Sequence, residues 1–197
     1  MNYKALIAAA LAATVVVVQA STLDESVPKP WFKNGAPPAV NLCKAGIDTA
    51  IESAGTPNIT LKCDTKEEGF VGVMQNFVAT DYVGKRVRFS ALVRAAGVEG
   101  WAGLWMRVDD KDKPNSAFDN MQNRAITGTS DWTPYSVVLD VSQKAQGIFL
   151  GTLMIGKGQV WISDLRFDVV GDDVPSTDQL NASSKSANKP GNLSLSR

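Results

Sequence analysis

The chain holds 197 residues, with 20 basic against 20 acidic side chains and no histidine. A balanced charge offers nothing to polyanions, so nucleic acid and acidic membrane surfaces are poor partners. Without histidine, the commonest general base, the usual pH switch and the commonest metal ligand are all missing.

The chain opens MNYKALIAAALAATVVVVQA-S, the layout of a secretory signal. Lys4 is the positive n-region, Ala5 to Val18 is apolar, and Val18 and Ala20 are small residues where a signal peptidase reads. The run is too short and wrongly flanked for a membrane span, and an uncleaved anchor is the weaker alternative. No cysteine follows at the lipoprotein position. Cleavage near Ala20 is therefore expected, giving a secreted or periplasmic chain of about 177 residues with no stable membrane anchor and a charge of about −1. That length suits one domain with its own core plus a tail.

The expected organisation is a signal peptide over 1–20, an extended lead-in over 21–38, a β-sandwich domain over 39–170 and a disordered polar tail over 171–197. The lead-in carries Pro28, Pro30, Pro37 and Pro38, with Trp31 and Phe32 expected to pack on the domain edge. Cys43 and Cys63 are the only cysteines. In an exported chain such a pair reads most simply as a disulfide, closing a loop of about 20 residues, with buried free thiols as the alternative. Two cysteines without histidine cannot complete an ordinary zinc site.

Residues 40–56 are ambiguous between a short helical turn and a strand. NITLK, 58–62, is a short strand, and 64–69 a charged turn. A strand follows over 70–77, then a turn over 80–85. Arg86 to Arg94 alternates cleanly: Val87, Phe89, Ala91 and Val93 face the core, and the arginines form a solvated face. Ala102 to Asp109 alternates again, with Ala102, Leu104, Met106 and Val108 inward and Gly103, Trp105, Arg107 and Asp109 on the other face. Further strands are expected over 133–140, 147–155 and 159–169, the last two joined by a Gly156-Lys157-Gly158 turn. In the last strand Trp161, Leu165, Phe167 and Val169 share a parity, which makes Trp161 a core residue; Trp132 reads as an edge plug. Strands 70–77 and 147–155 are apolar on both faces, as sheet centres or the floor of a groove would be. About eight short strands without an amphipathic helix predict an all-β fold, an antiparallel two-sheet jelly-roll sandwich. From Gly171 the composition turns polar and non-aromatic, as disordered tails are. Asn58, Asn181 and Asn192 head glycosylation triplets.

The segment 99–124 collects chemistry-bearing residues on two strands and a polar hairpin loop. Trp101, Trp105, Arg107, Asp119, Asn120 and Gln122, with Gln75 from a neighbouring strand, offer the stacking surface and hydrogen-bonding groups a sugar site uses. Asn120 and Gln122 fall on one face and Asp119 and Met121 on the other, so register decides which reach a groove. The competing structural reading places Trp105 beneath a loop and pairs Arg107 with Asp109 or Asp119.

The runs YVGKRVRFSALVRAAGVEGWAGLWMRVDD, AFDNMQNRAITGTSDWTPYSVVLDV and GQVWISDLRFDVVGDDVPSTD resemble a bacterial domain found alone behind a signal peptide or fused to helix-turn-helix regulators. It is a galactose-binding-like, carbohydrate-module-type β-sandwich, and the resemblance spans about Trp31 to Asp178. It implies fold more strongly than function. The N-terminal part with both cysteines is the least family-like.

Three functions compete. The first is an exported, non-catalytic binding module for a carbohydrate or other small polar ligand. The second is an enzyme resting on carboxylates, with Asp109 and Asp119 as a glycosidase-like pair. The third is an envelope module whose Trp101 and Trp105 meet a protein partner. No cofactor is expected, although the loop 109–115 offers oxygen ligands for a structural Ca²⁺, with Lys111 and Lys113 badly placed beside a cation.

Overall fold

The computed structural model describes residues 23–53, 56–66 and 68–180. The expected signal peptide, the sequons at Asn181 and Asn192 and the end of the expected tail lie outside them. Among the described residues ten strands fold into an antiparallel sandwich: β1 (Leu23–Asp24), β2 (Phe32–Ala36), β3 (Lys44–Ser53), β4 (Thr56–Cys63), β5 (Phe70–Val78), β6 (Arg86–Asp110), β7 (Ala117–Asp119), β8 (Ile126–Asp140), β9 (Ala145–Ile155) and β10 (Gly158–Val170). One short helix, α1 (Ala39–Leu42), lies between β2 and β3.

β6 organises both sheets. Its first half pairs with β8 on one side and β10 on the other, and the sheet continues through β4 and β3 to β1. Its second half pairs with β7 and β9, continuing through β5 to β2. The two strands expected over 86–94 and 102–109 are thus one 25-residue strand that changes sheets. Its pairing with β8 slips between Val93 and Ala102, as at the corners of sandwiches. Glycines permit the bend: Gly97 has φ +58°, and a Cβ on Gly100 would stand 2.0 Å from the Ile155 carbonyl oxygen.

Alternation fills the space between the sheets. Val87, Phe89, Ala91, Val93, Leu104, Met106 and Val108 of β6 meet Leu61, Val71, Val73, Leu139, Ile148, Leu150, Met154 and Ile162 in one core. The disulfide Cys43–Cys63 forms, with the Cα atoms 4.5 Å apart, tying the end of α1 to the end of β4. Within the ambiguous stretch 40–56, residues 40–42 lie in α1, 44–53 form β3, and Thr56 opens β4.

Two expectations change. A one-residue slip between Ser163 and Arg166, with Asp164 at φ +48°, reverses parity along β10. Phe167 then pairs with Phe89 on the core side, while Trp161 pairs with Arg94 and Thr60 on the outside. Trp161 is still buried, donating from Nε1 to Asp48 Oδ2 at 2.8 Å, but it lies outside the main core. Residues 171–180 also make more structure than a tail would. The Thr177 N–H donates to the Val138 carbonyl, the Gln179 N–H to that of Phe118, and Asp178 Oδ1 accepts from the Phe118 and Leu180 amides.

Candidate functional site

The outer face of the second sheet gathers the residues that alternation turned away from the core. Antiparallel register sets them in rows across the strands. One row runs Asn34, Gly72, Leu153, Gly103; the next Phe32, Met74, Gly151, Trp105. A third runs Asn76, Phe149, Arg107, Phe118, and a fourth Val78, Gly147, Asp109. Large and absent side chains alternate, so glycines floor a surface bounded by aromatic rings.

Arg107 is held from two sides. Its Nη2 donates to Asp109 Oδ2 at 3.0 Å, and its guanidinium carbon stands 4.4 Å from the centre of the Phe149 ring. The stack leaves over a third of the side chain (36 %) in solvent. Beside it opens a groove of about 610 Å³, lined by Asn76, Val78, Asp109, Pro114, Gln146 and Phe149 over Gly147. Val78, on its wall, is 72 % exposed. Asp109 is shaped by the hairpin loop, its Oδ1 accepting from the Asn115 N–H at 2.7 Å.

Trp105 stands on this outer face yet is only 7 % exposed, and it lies outside the main core. Among the described residues its indole N–H has no acceptor, and Asn34 Oδ1, two strands beyond β9 on the same face, has no donor. Arg107 Nε is 3.0 Å from Asp109 Oδ1 but off the line of a hydrogen bond. A buried polar group left without a partner costs about 1–3 kcal/mol.

The other residues singled out from the sequence disperse. Trp101 stays on this face, half-buried, its ring edge 3.6 Å from where a Cβ on Gly103 would stand. Gln75 belongs to the opposite face: it pairs with Leu150, which pairs with Met106, and it lies two strands from β6. Asp119 pairs with Met106 on the core side and is fully buried. It accepts from Arg124 Nη1 and Nη2, the Met121 amide and Gln179 Nε2. The strand pattern expected for 119–122 stops at Met121, which takes φ +63° and leads into a 3₁₀ turn, Gln122–Arg124. Asn120 closes that turn by accepting from the Gln122 N–H at 3.0 Å, and the Gln122 side chain is exposed.

Asp109 and Asp119 therefore stand on opposite faces of one sheet, where two carboxylates cannot flank one glycosidic bond. In the 109–115 loop, Asp109 is taken by Arg107 and Asn115, and Asp110 Oδ1 accepts from the hydroxyls of Ser116 (2.9 Å) and Ser142 (2.6 Å). Among the described residues no group of three acidic or cysteine side chains is placed to hold a metal ion. Asn58, head of the first sequon, is buried, its Nδ2 donating to the Asp48 carbonyl.

Sequence reasoning passed over Asn34, Asn76, Val78 and Phe149. One local signal was present: in Gly147-x-Phe149-x-Gly151 the spacing of two puts a ring between two bare positions on one face.

No family model matches the chain. It is 38% identical over 169 residues to the uncharacterised helix-turn-helix-type transcriptional regulator YbfP of Bacillus subtilis, a match covering 85% of this chain and 56% of the regulator. The chain thus spans little more than half of that relative. Among solved structures it is similar to the tandem CBM22-1–CBM22-2 domain of Paenibacillus barcinonensis Xyn10C, with TM-score 0.54, 15% identity, and 77% of this chain and 45% of that one covered. It is also similar to the single CBM22-1 xylan-binding domain of the same protein, with TM-score 0.50, 14% identity and coverage of 71% and 85%. The fold is that of galactose-binding-like, carbohydrate-module-type β-sandwiches.

Proposed function

We propose that the chain is an exported, non-catalytic module that binds a carbohydrate across the outer face of the second sheet. The observation that carries the reading is the Arg107 guanidinium stacked on Phe149 beside a glycine-floored groove. The apolar face of a sugar ring packs on Phe149 and Val78, and its hydroxyls meet Asn76, Gln146 and Asp109, with Arg107 holding Phe149 and Asp109 in place from behind. The unpaired Trp105 N–H and Asn34 oxygen recover their cost when a hydroxyl or water reaches them. The fold shared with modules described as xylan-binding makes neutral β-linked glycans the first ligands to try. The opposed placement of Asp109 and Asp119 removes the carboxylate pair that the glycosidase alternative relied on, which supports the binding reading. Export rests on the signal-like N-terminus and on the disulfide, which belongs to an oxidising compartment.

Calorimetry with xylohexaose and a panel of neutral oligosaccharides tests the reading. Saturable binding at micromolar to millimolar Kd is expected. Phe149→Ala and Arg107→Ala should each weaken it about tenfold or more. A folded protein that gives no heat with any sugar at millimolar concentration would reject the assignment.

The regulator match favours a second reading, in which this kind of domain senses a small ligand on behalf of an attached partner. Cell fractionation separates the two. Exported protein trimmed near Ala20 supports the first, and full-length protein in the cytoplasm supports the second.

A further inference from the structure

We propose that the open end of the sandwich, between the two sheets, is a second binding site, separate from the Arg107 face, for a small uncharged aromatic ring bearing a hydroxyl or amide. A pocket of about 270 Å³ opens there. Dry apolar cavities of about 150 Å³ already admit benzene, so this one has room for a substituted ring.

Three rings make its wall. Phe77 comes from β5 in the second sheet, where it also borders the groove beside Arg107, Phe167 from β10 in the first, and Tyr82 from the 3₁₀ turn Thr80–Tyr82 between β5 and β6. Their centres lie 5.8, 5.3 and 5.0 Å apart, every pair edge to face. Such a cluster presents ring edges and faces to a further ring in the geometry aromatic pairs favour. Trp31, from the lead-in, closes another side.

The parity reversal in β10 builds this site. Without the slip between Ser163 and Arg166, Phe167 would face away from the core side. Bulges that re-aim a side chain are common beside binding sites.

Gln75 supplies the polar requirement. It sits on the core-facing side of β5 opposite Leu150, a position alternation would give to an apolar residue, and it lines this pocket. Its amide, half-buried, makes no hydrogen bond to another described residue. An amide both donates and accepts, so it matches a hydroxyl or a second amide. At the rim Arg166 is held by both oxygens of Asp164, at 3.1 and 3.0 Å, which cancels its charge and favours an uncharged ligand.

The test is an NMR titration of the mature protein with p-cresol, with toluene as the apolar control. Saturable shifts at Phe77, Tyr82, Phe167 and the Gln75 side-chain amide are expected. Gln75→Leu, which suits its core-side position and should melt no lower than wild type, is expected to weaken p-cresol about fivefold while leaving toluene within twofold. Arg107→Ala should leave both probes unaffected, so failure here is distinct from failure of the sugar site. Shifts that do not saturate, shifts centred on Trp105 and Phe149 instead, or equal effects of Gln75→Leu on both probes would each overturn the proposal.

Discussion

Replacing Arg124 by methionine separates a structural Asp119 from a ligand-binding one. Asp119 is fully buried, while the Arg124 side chain is 34 % exposed, so the pair is asymmetric. Arg124 donates to Oδ1 at 3.0 Å and to Oδ2 at 2.5 Å, and also to the Ser136 carbonyl at 2.9 Å. Among the described residues, methionine leaves the carboxylate with the Met121 amide (2.8 Å) and Gln179 Nε2 (2.9 Å). Breaking a buried pair by removing the cation strands an uncompensated charge, at a cost of about 3–5 kcal/mol. For a domain of this size that lowers Tm by roughly 6–20 °C. Asp119→Ala removes the buried charge itself and leaves Arg124 access to water and to Ser136. It should cost less, about 2–3 kcal/mol, chiefly for the orphaned Met121 amide. Urea unfolding followed by circular dichroism and tryptophan fluorescence measures both. Arg124→Met within 1 kcal/mol of wild type, or less costly than Asp119→Ala, would refute this account of the pair.

Replacing Cys43 and Cys63 together by alanine opens a loop spanning a separation of 20 residues and should destabilise the protein by about 3 kcal/mol, read from the same unfolding curves. Trp161→Phe removes the indole donor from the buried Asp48 and should cost about 1–3 kcal/mol, while the analogous Trp105→Phe removes an N–H that has no acceptor among the described residues and should cost well under 1 kcal/mol for that group. A reversed order of the two variants would show that the hydrogen-bond assignment is wrong. The Ser26 amide, followed by its hydroxyl, holds the Asp24 carboxyl below its ordinary value of 3.8. Its folded pKa being depressed, the contribution of that turn is complete above the unfolded pKa and fades as pH falls through the lower folded one. An NMR titration of Asp24 should therefore give a midpoint under 3.8, and one at or above it would contradict the turn.

Local pattern carried much of the fold. The period of two in Val87, Phe89, Ala91 and Val93, and again in Ala102, Leu104, Met106 and Val108, needed no partner strand to declare a core face, because side chains alternate along any extended backbone. The same rule put Trp105, Arg107 and Asp109 together on the opposite face. The pairing of the two cysteines was legible because no third cysteine competes.

Which residues meet across strands was decided elsewhere. Alternation splits a strand into two sets without saying how its sets align with those of a distant strand. Gln75 and Trp105 were expected in one groove, yet pairing through Leu150 and Gly151 puts them on opposite sides of the sheet. Asp109 and Asp119 part for the same reason, one across from Gly147 and the other across from Met106. A single extra residue between Ser163 and Arg166 exchanged the roles of Trp161 and its neighbours, since one residue of slip turns every later side chain over. The sequence by itself determined which side chains alternate and that the chain would build a sandwich. Only the tertiary structure decided which of them share a face, because register is set by contacts between strands far apart in the chain.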